Sequence, residues 1–208
     1  LTATHLYPTT SSNELMLYYI CPMHTLYTVL VYATLALWPA GNDSAAGVWL
    51  KLAAATALVV GVWEFKPVFY AIFSPLVSVL GYTDPRRPSP DALHEWYFRT
   101  GLDRYIWVHG MACAYLHPRF EAWLKALDEG EAAARRRKRA IVGGTAAAVF
   151  VAWYFLVFRL PKLEYNKAHP YTSWIPISAF LVLRNLTPAL RLNSVGLYGW
   201  LGCITLET

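Results

Sequence analysis

Long apolar stretches alternate along this chain with short polar or proline-rich breaks, a rhythm set by the thickness of a bilayer rather than by a soluble core. Glu14 to Trp38 is the first stretch. It is rich in aromatic residues and interrupted only by Pro22 and His24, and the proline predicts a kink whose freed carbonyl a neighbour must satisfy. Pro39, Gly41, Asn42, Asp43 and Ser44 supply the following turn. Ala46 to Trp63 is the second span. Lys51 lies close enough to its end to snorkel toward water, and the span closes on Glu64 and Lys66. Pro67 to Tyr82 is short and carries Pro67 and Pro75, which predicts a broken or tilted helix. Thr83 to Asp91 cannot be helical through its prolines and reads as a loop, with Ser89 or Asp91 placed to cap the next helix.

That helix carries a dense set of charges. LHEWYFRTGLDRYIW, Leu93 to Trp107, contains His94, Glu95, Arg99, Asp103 and Arg104 and runs directly into the apolar segment Ile106 to Leu116. Glu95, Arg99 and Asp103 are four apart, so acid, base and acid stack along one helix face as an ion-paired ladder at a membrane boundary. Charges at such a depth pair with one another or line a wet cavity; the alternative is a helix end whose charges simply stay in water. After His117 and Pro118 comes a strongly polar section, residues 118–139, ending in Arg135, Arg136, Arg137, Lys138 and Arg139. Ala140 to Leu160 is again apolar, Pro161 to Tyr171 is expected to be a loop, and a proline-punctuated segment then carries Arg184 and Asn185 deep in an apolar run.

Composition turns this pattern into a class. Hydrophobic residues make up 56% of the 208, charged residues only 15%, and mean hydropathy is +0.32, too apolar for an ordinary soluble domain. The expected fold is an all-α, polytopic membrane helix bundle of about six to seven spans or partial spans, with no soluble domain. Leu1 is not a start methionine and the chain closes inside an apolar run, so residues 1–208 are expected to be the interior part of one longer membrane domain. Cys21, Cys113 and Cys203 are far apart and set in apolar runs, which predicts buried thiols rather than disulfides. No metal-ligand spacing is present, and His24 and His109, each alone in an apolar helix, read as interior residues rather than ligands.

Charge supplies the sidedness. The basic run immediately before an apolar span is a positive-inside signal that makes residues 118–139 a cytosolic loop; nucleic-acid binding or a localisation signal is the lesser alternative. Asn42-Asp43-Ser44 is a glycosylation sequon and would place its loop in the lumen. Three candidate spans separate the two loops, so the signals agree. His94 and the loop holding His169 then share the lumenal face. Arg184 is a candidate functional residue, with Glu64, Glu95 or Asp103 as possible partners, or else a buried tie between helices.

CPMHTLYTVLVY, SPLVSVLGYTDP, LHEWYFRTGLDRYIW, NKAHPYTSWIPI, LRNLTPALR and LGCITLET, in this order over nearly the whole chain, resemble the multi-spanning O-acetyltransferase domain of plant reduced wall acetylation proteins. The same domain forms the membrane part of the animal sialic-acid O-acetyltransferase and of a fungal capsule-acetylation protein. The resemblance implies the middle of a domain of about ten spans. It also implies a multi-pass Golgi membrane protein that helps pass acetyl groups from cytosolic acetyl-CoA to lumenal polysaccharide or glycan hydroxyls, as in the cell wall. No GxSxG-type nucleophile pattern is present, so final transfer falls either to this chain or to a separate lumenal acetyltransferase. A transporter of the acetyl donor and a non-catalytic membrane subunit are the alternatives.

Acetyl transfer needs a base or acyl carrier and donors for the tetrahedral oxyanion. His169 and His94 are the candidate bases, and Glu95 is placed to orient a histidine from another segment, His169 being the obvious choice. Arg99, Arg104 and Arg184 are candidates for CoA phosphates or the oxyanion, with Asp103 and Glu64 holding them in place; Asn185 and Tyr171 complete the binding set. Membrane lipid is an expected partner, with neither nucleic acid nor a metal.

Overall fold

The computed structural model describes residues 20–83 and 90–192. Among these residues every regular element is helical and none is a strand, the arrangement that satisfies backbone groups without water. The helices are α1 (Ile20–Ala36), α2 (Ala45–Val59), α3 (Lys66–Phe73), α4 (Val77–Leu80), α5 (His94–Leu102), α6 (Ile106–Asp128), α7 (Ala132–Trp153), α8 (Lys162–Thr172), α9 (Trp174–Arg184) and α10 (Pro188–Leu192). α2 and α7 each continue into a π turn, Val60–Glu64 and Tyr154–Phe158.

The all-α membrane architecture stands, but full-length spans are fewer than expected among the described residues. Ala45–Glu64, with 20 residues, and Ala132–Phe158, with 27, are long and apolar enough to cross a membrane; Ile20–Ala36, Lys66–Leu80 and Trp174–Arg184 are apolar but shorter. Local chemistry makes the breaks. Pro75 sits in the 3₁₀ turn Ser74–Leu76 that separates α3 from α4, so this segment is the broken helix the prolines predict.

The chain folds as two compact units, Leu1–Ala114 and Tyr115–Thr208. The first is built on aromatic rings. Fully buried Phe69 lies 4.4 Å from Phe73 and edge-on to Tyr97 at 4.9 Å, and Phe73 meets the edge of Trp96 at 6.0 Å. Beside these rings Thr100, 0% exposed, joins three helices. Its hydroxyl donates to the Trp96 carbonyl and accepts from Trp63 Nε1 at 3.0 Å, while its carbonyl accepts from Tyr27 Oη at 2.6 Å. Thr100 Oγ1, Trp63 Nε1 and Tyr27 Oη thus each donate to a partner out of water, whereas the buried Trp96 Nε1 has none among the described residues.

Three local expectations change in this unit. Lys51 does not snorkel: it is buried, and its ammonium donates to Asn42 Oδ1 at 2.7 Å and to the Leu35 carbonyl at 3.2 Å near the end of α1, where a cation complements the helix dipole. Asn42, the sequon residue, returns its own amide to the same carbonyl. Asp91 is not the N-cap of α5, which is Leu93; it accepts from Leu93 N at 3.2 Å one residue earlier, and also takes the Tyr70 hydroxyl and the Lys66 ammonium, the latter at 3.8 Å. Ser89 lies outside the described residues, as do Glu14 and the rest of the first span ahead of Ile20.

In the second unit residues 118–139 are largely helical. α6 runs through Pro118 to Asp128, Gly130 turns the chain at φ 94, and α7 starts at Ala132. The left-handed φ is one that glycine adopts without strain. On α7, Gly143 is buried under Leu186, and a Cβ there would stand 2.6 Å from Leu186 Cδ2. Pro161 to Tyr171, expected as a loop, is helix α8: Pro161 precedes the first turn, where no proline amide is needed, and Glu164 pairs with Lys167 at 2.9 Å one turn on.

Candidate functional site

Glu95 and Arg99 pair across one turn of α5 at 3.4 Å. Asp103 follows the last residue of α5, Leu102, and already has a non-helical backbone. The cause is Arg104. Its Nη1 donates to the Gly101 carbonyl at 2.7 Å, a position a continuing helix would fill with a backbone N–H, and a new helix starts at Ile106 with its N–H on the Asp103 carbonyl.

At this break charge and phenol converge. Arg104 Nη2 donates to Glu64 Oε1 at 2.8 Å and Tyr105 Oη donates to the same oxygen at 3.0 Å. The Arg104 side chain is only 12% exposed, whereas Glu64 keeps 34% of its side chain open. Glu64 is the last residue of the π turn after α2, and π turns recur at functional sites because they re-aim one side chain. Tyr105 was not singled out by sequence, although it stands next to Arg104 in the same motif.

The remaining candidates spread over both units. His94 is the first residue of α5 and exposed. His169 lies in the last turn of α8, and its Nδ1 is 2.8 Å from Tyr165 Oη, one turn earlier. Tyr171 is exposed on the same helix. Glu95 belongs to the first unit and His169 to the second, and each has a partner within its own unit: Arg99 for one, Tyr165 for the other. Arg184 is the last residue of α9 rather than mid-span, a favourable end for a cation, and Asn185 follows it with its amide on the Leu181 carbonyl at 2.8 Å. Glu64, Glu95 and Asp103 are all residues of the first unit, Arg184 of the second.

Sequence reading missed a second ionic centre. Asp128, at the end of α6, accepts from Arg139 at 2.5 Å and from Arg191 of α10, whose other nitrogen holds the Asn185 carbonyl at 2.8 Å. Burial pushes the Asp128 carboxyl up, but the guanidinium hydrogen bonds outweigh it and leave its pKa below the ordinary value. Asp128 and Arg191 are 63 positions apart, and nothing local marks them as partners.

Cys21 and His24 are exposed on α1 rather than buried, its buried residues being Met23 and Tyr27. Cys113 is half-buried with its sulfur 3.4 Å from His109 Nε2, and Cys203 lies outside the described residues. Among the described residues no group of three or more His, Cys, Asp or Glu side chains is able to hold a metal ion.

Two helices long and apolar enough to cross a membrane, with charged clusters at helix breaks, fit a membrane protein. Residues 9–208 match the family described as the 10 TM acyl transferase domain found in Cas1p, and the chain belongs to that family, the membrane acyltransferases. It is 29% identical over 203 residues to N-acetylneuraminate (7)9-O-acetyltransferase of Danio rerio, covering 91% of this chain and 25% of that protein. The chain therefore spans about a quarter of that relative's length. No solved structure matches.

Proposed function

We propose that this chain is the acetyl-passing part of a Golgi membrane O-acetyltransferase, taking acetyl from cytosolic acetyl-CoA and delivering it to lumenal polysaccharide or glycan hydroxyls. The observation that carries the proposal is the meeting of Glu64, Arg104 and Tyr105 at the α5–α6 break, within a family of acyltransferases. A guanidinium supplies the N–H donors that a tetrahedral oxyanion or a phosphate needs, while the Tyr105 proton is committed to Glu64.

In the reaction the thioester C–S bond breaks, an ester C–O bond forms, and the hydroxyl proton ends on the CoA thiol. His169 is the proposed base or transient acyl carrier. Tyr165 at Nδ1 fixes the ring of His169. Glu95, paired with Arg99, is the carboxylate proposed for the first unit, and His94 is the second candidate base. Asp103, Arg184, Asn185 and Tyr171 belong to the wider donor and acceptor surface. The sequon loop and the basic hairpin set the topology, with His94 and His169 toward the lumen.

The test is full-length protein in sealed vesicles supplied with acetyl-labelled acetyl-CoA. Label retained on protein or passed to glycan supports the relay. Intact donor inside the vesicles would make the chain a transporter, and neither outcome would leave a non-catalytic subunit for a separate lumenal acetyltransferase. His169→Ala and Glu95→Gln are expected to abolish transfer in folded protein. Arg104→Lys keeps the charge but loses the fork between Gly101 and Glu64, with an expected loss on the order of 10²-fold.

A further inference from the structure

The five-residue basic run at the head of α7 is divided by the fold. Arg139 is taken by Asp128, and Arg135, one turn earlier on the same face, donates to the Asp128 and Gly130 carbonyls at 3.5 and 3.4 Å. These two cations staple the hairpin. Arg136, Arg137 and Lys138 remain exposed, Arg136 touching the Ala132 carbonyl through Nε alone at 3.4 Å.

Their position on the helix is informative. From Ala140 to Phe158 the helix carries no charge. That is about 28 Å of helix at ~1.5 Å per residue, close to the thickness of a hydrocarbon core. Its outward residues are apolar from the first turn, Ile141 being 59% exposed and Phe155 58%. The three cations therefore stand at the depth where that surface passes into the headgroup layer, and Trp123, exposed on α6 of the same hairpin, is of the type that settles there.

We infer that Arg136, Arg137 and Lys138 form a docking surface for anionic phospholipid headgroups. Geometry separates this partner from a soluble phosphate ligand. Neighbouring residues on a helix point about 100° apart, so three consecutive cations diverge and do not close on one phosphate. A headgroup layer offers each of them its own. Each cation near an anionic surface is worth about fivefold in partition, so the three together favour anionic lipid on the order of 100-fold at low salt.

This inference is independent of the acetyl-transfer proposal, because its readout is lipid retention. Full-length protein is reconstituted in phosphatidylcholine with and without phosphatidylserine, and the lipids it retains are counted by native mass spectrometry. Wild type is expected to retain phosphatidylserine in preference, and to lose it as salt rises. The triple variant R136Q/R137Q/K138Q is expected to lose most of the preference, while R136K/R137K, which preserves charge and topology signal, keeps it. Preference that survives in the glutamine variant, or that ignores salt in wild type, overturns the inference. So does full displacement of phosphatidylserine by free CoA, which would give these cations to a nucleotide.

Discussion

In the first unit the polar ties lie inside: Thr100 is sealed from solvent and binds groups from α1, the end of α2 and α5, with a ring cluster packed beside it. In the second unit the comparable tie is Asp128, which keeps 23% of its side chain open at the end of a hairpin, and the apolar residues buried there among those described are Leu124, Leu127 and Ala179. The contrast teaches where rigidity comes from in each. The first unit fixes its geometry by buried rings and hydrogen bonds, as a site that must hold a guanidinium and a phenol on one carboxylate oxygen requires. The second packs one face of its long helix α7 against α9, with Gly143 under Leu186, leaves the other face clothed in outward side chains, and ties the chain at Asp128.

Phe69→Ala is the strongest way to test the ring cluster. Phe69 is fully buried, so the cavity should cost about 3–5 kcal/mol, seen as a large fall in the unfolding midpoint of the full chain in detergent. A small change would mean that the rings are filler. Thr100→Val keeps the shape, removes the acceptor of Trp63 Nε1 and leaves the Tyr27 bond to the backbone intact; about 1–3 kcal/mol is expected, with transfer activity falling as α5 loosens. Stability lost without activity would detach the hub from the site.

In the second unit Asp128→Asn should cost less, about 1–2 kcal/mol, because water already reaches the three side chains. The pH dependence has a fixed sign. The Asp128 pKa is lowered from 3.8 in the folded chain, so the clamp contributes fully above that value and its contribution is lost as the pH falls below it. Melting curves of wild type and Asp128→Asn should therefore converge in acid and separate toward neutrality. Gly143→Ala is the mildest change. The new methyl meets only the flexible tip of Leu186, and about 1 kcal/mol or less is expected, read from the same melts.

The legible parts of the molecule were those written in local spacing. The two long spans, the proline break of α3 and α4, and the Glu95–Arg99 pair all follow from residues within a few positions of one another. Asp103 misled because no proline marks the end of α5; the helix stops when the Arg104 side chain takes a carbonyl, a competition invisible to periodicity. Lys51 misled for a related reason, since its acceptors are near the far end of another helix. Pro161 to Tyr171 was expected as a loop, yet nearly all of it is α8, which carries Pro170 in its last turns. The Asp128–Arg191 contact bridges positions that no short motif connects.

Glu64 and Lys66 stand two residues apart with opposite charges, and they hold opposite ends of α5. Lys66 reaches Asp91 at the entry, and Glu64 reaches Arg104 at the exit. Three residues of backbone, starting at the last residue of the π turn, thus set the span between the two ends of α5, as the pivot of a pair of callipers sets its jaws.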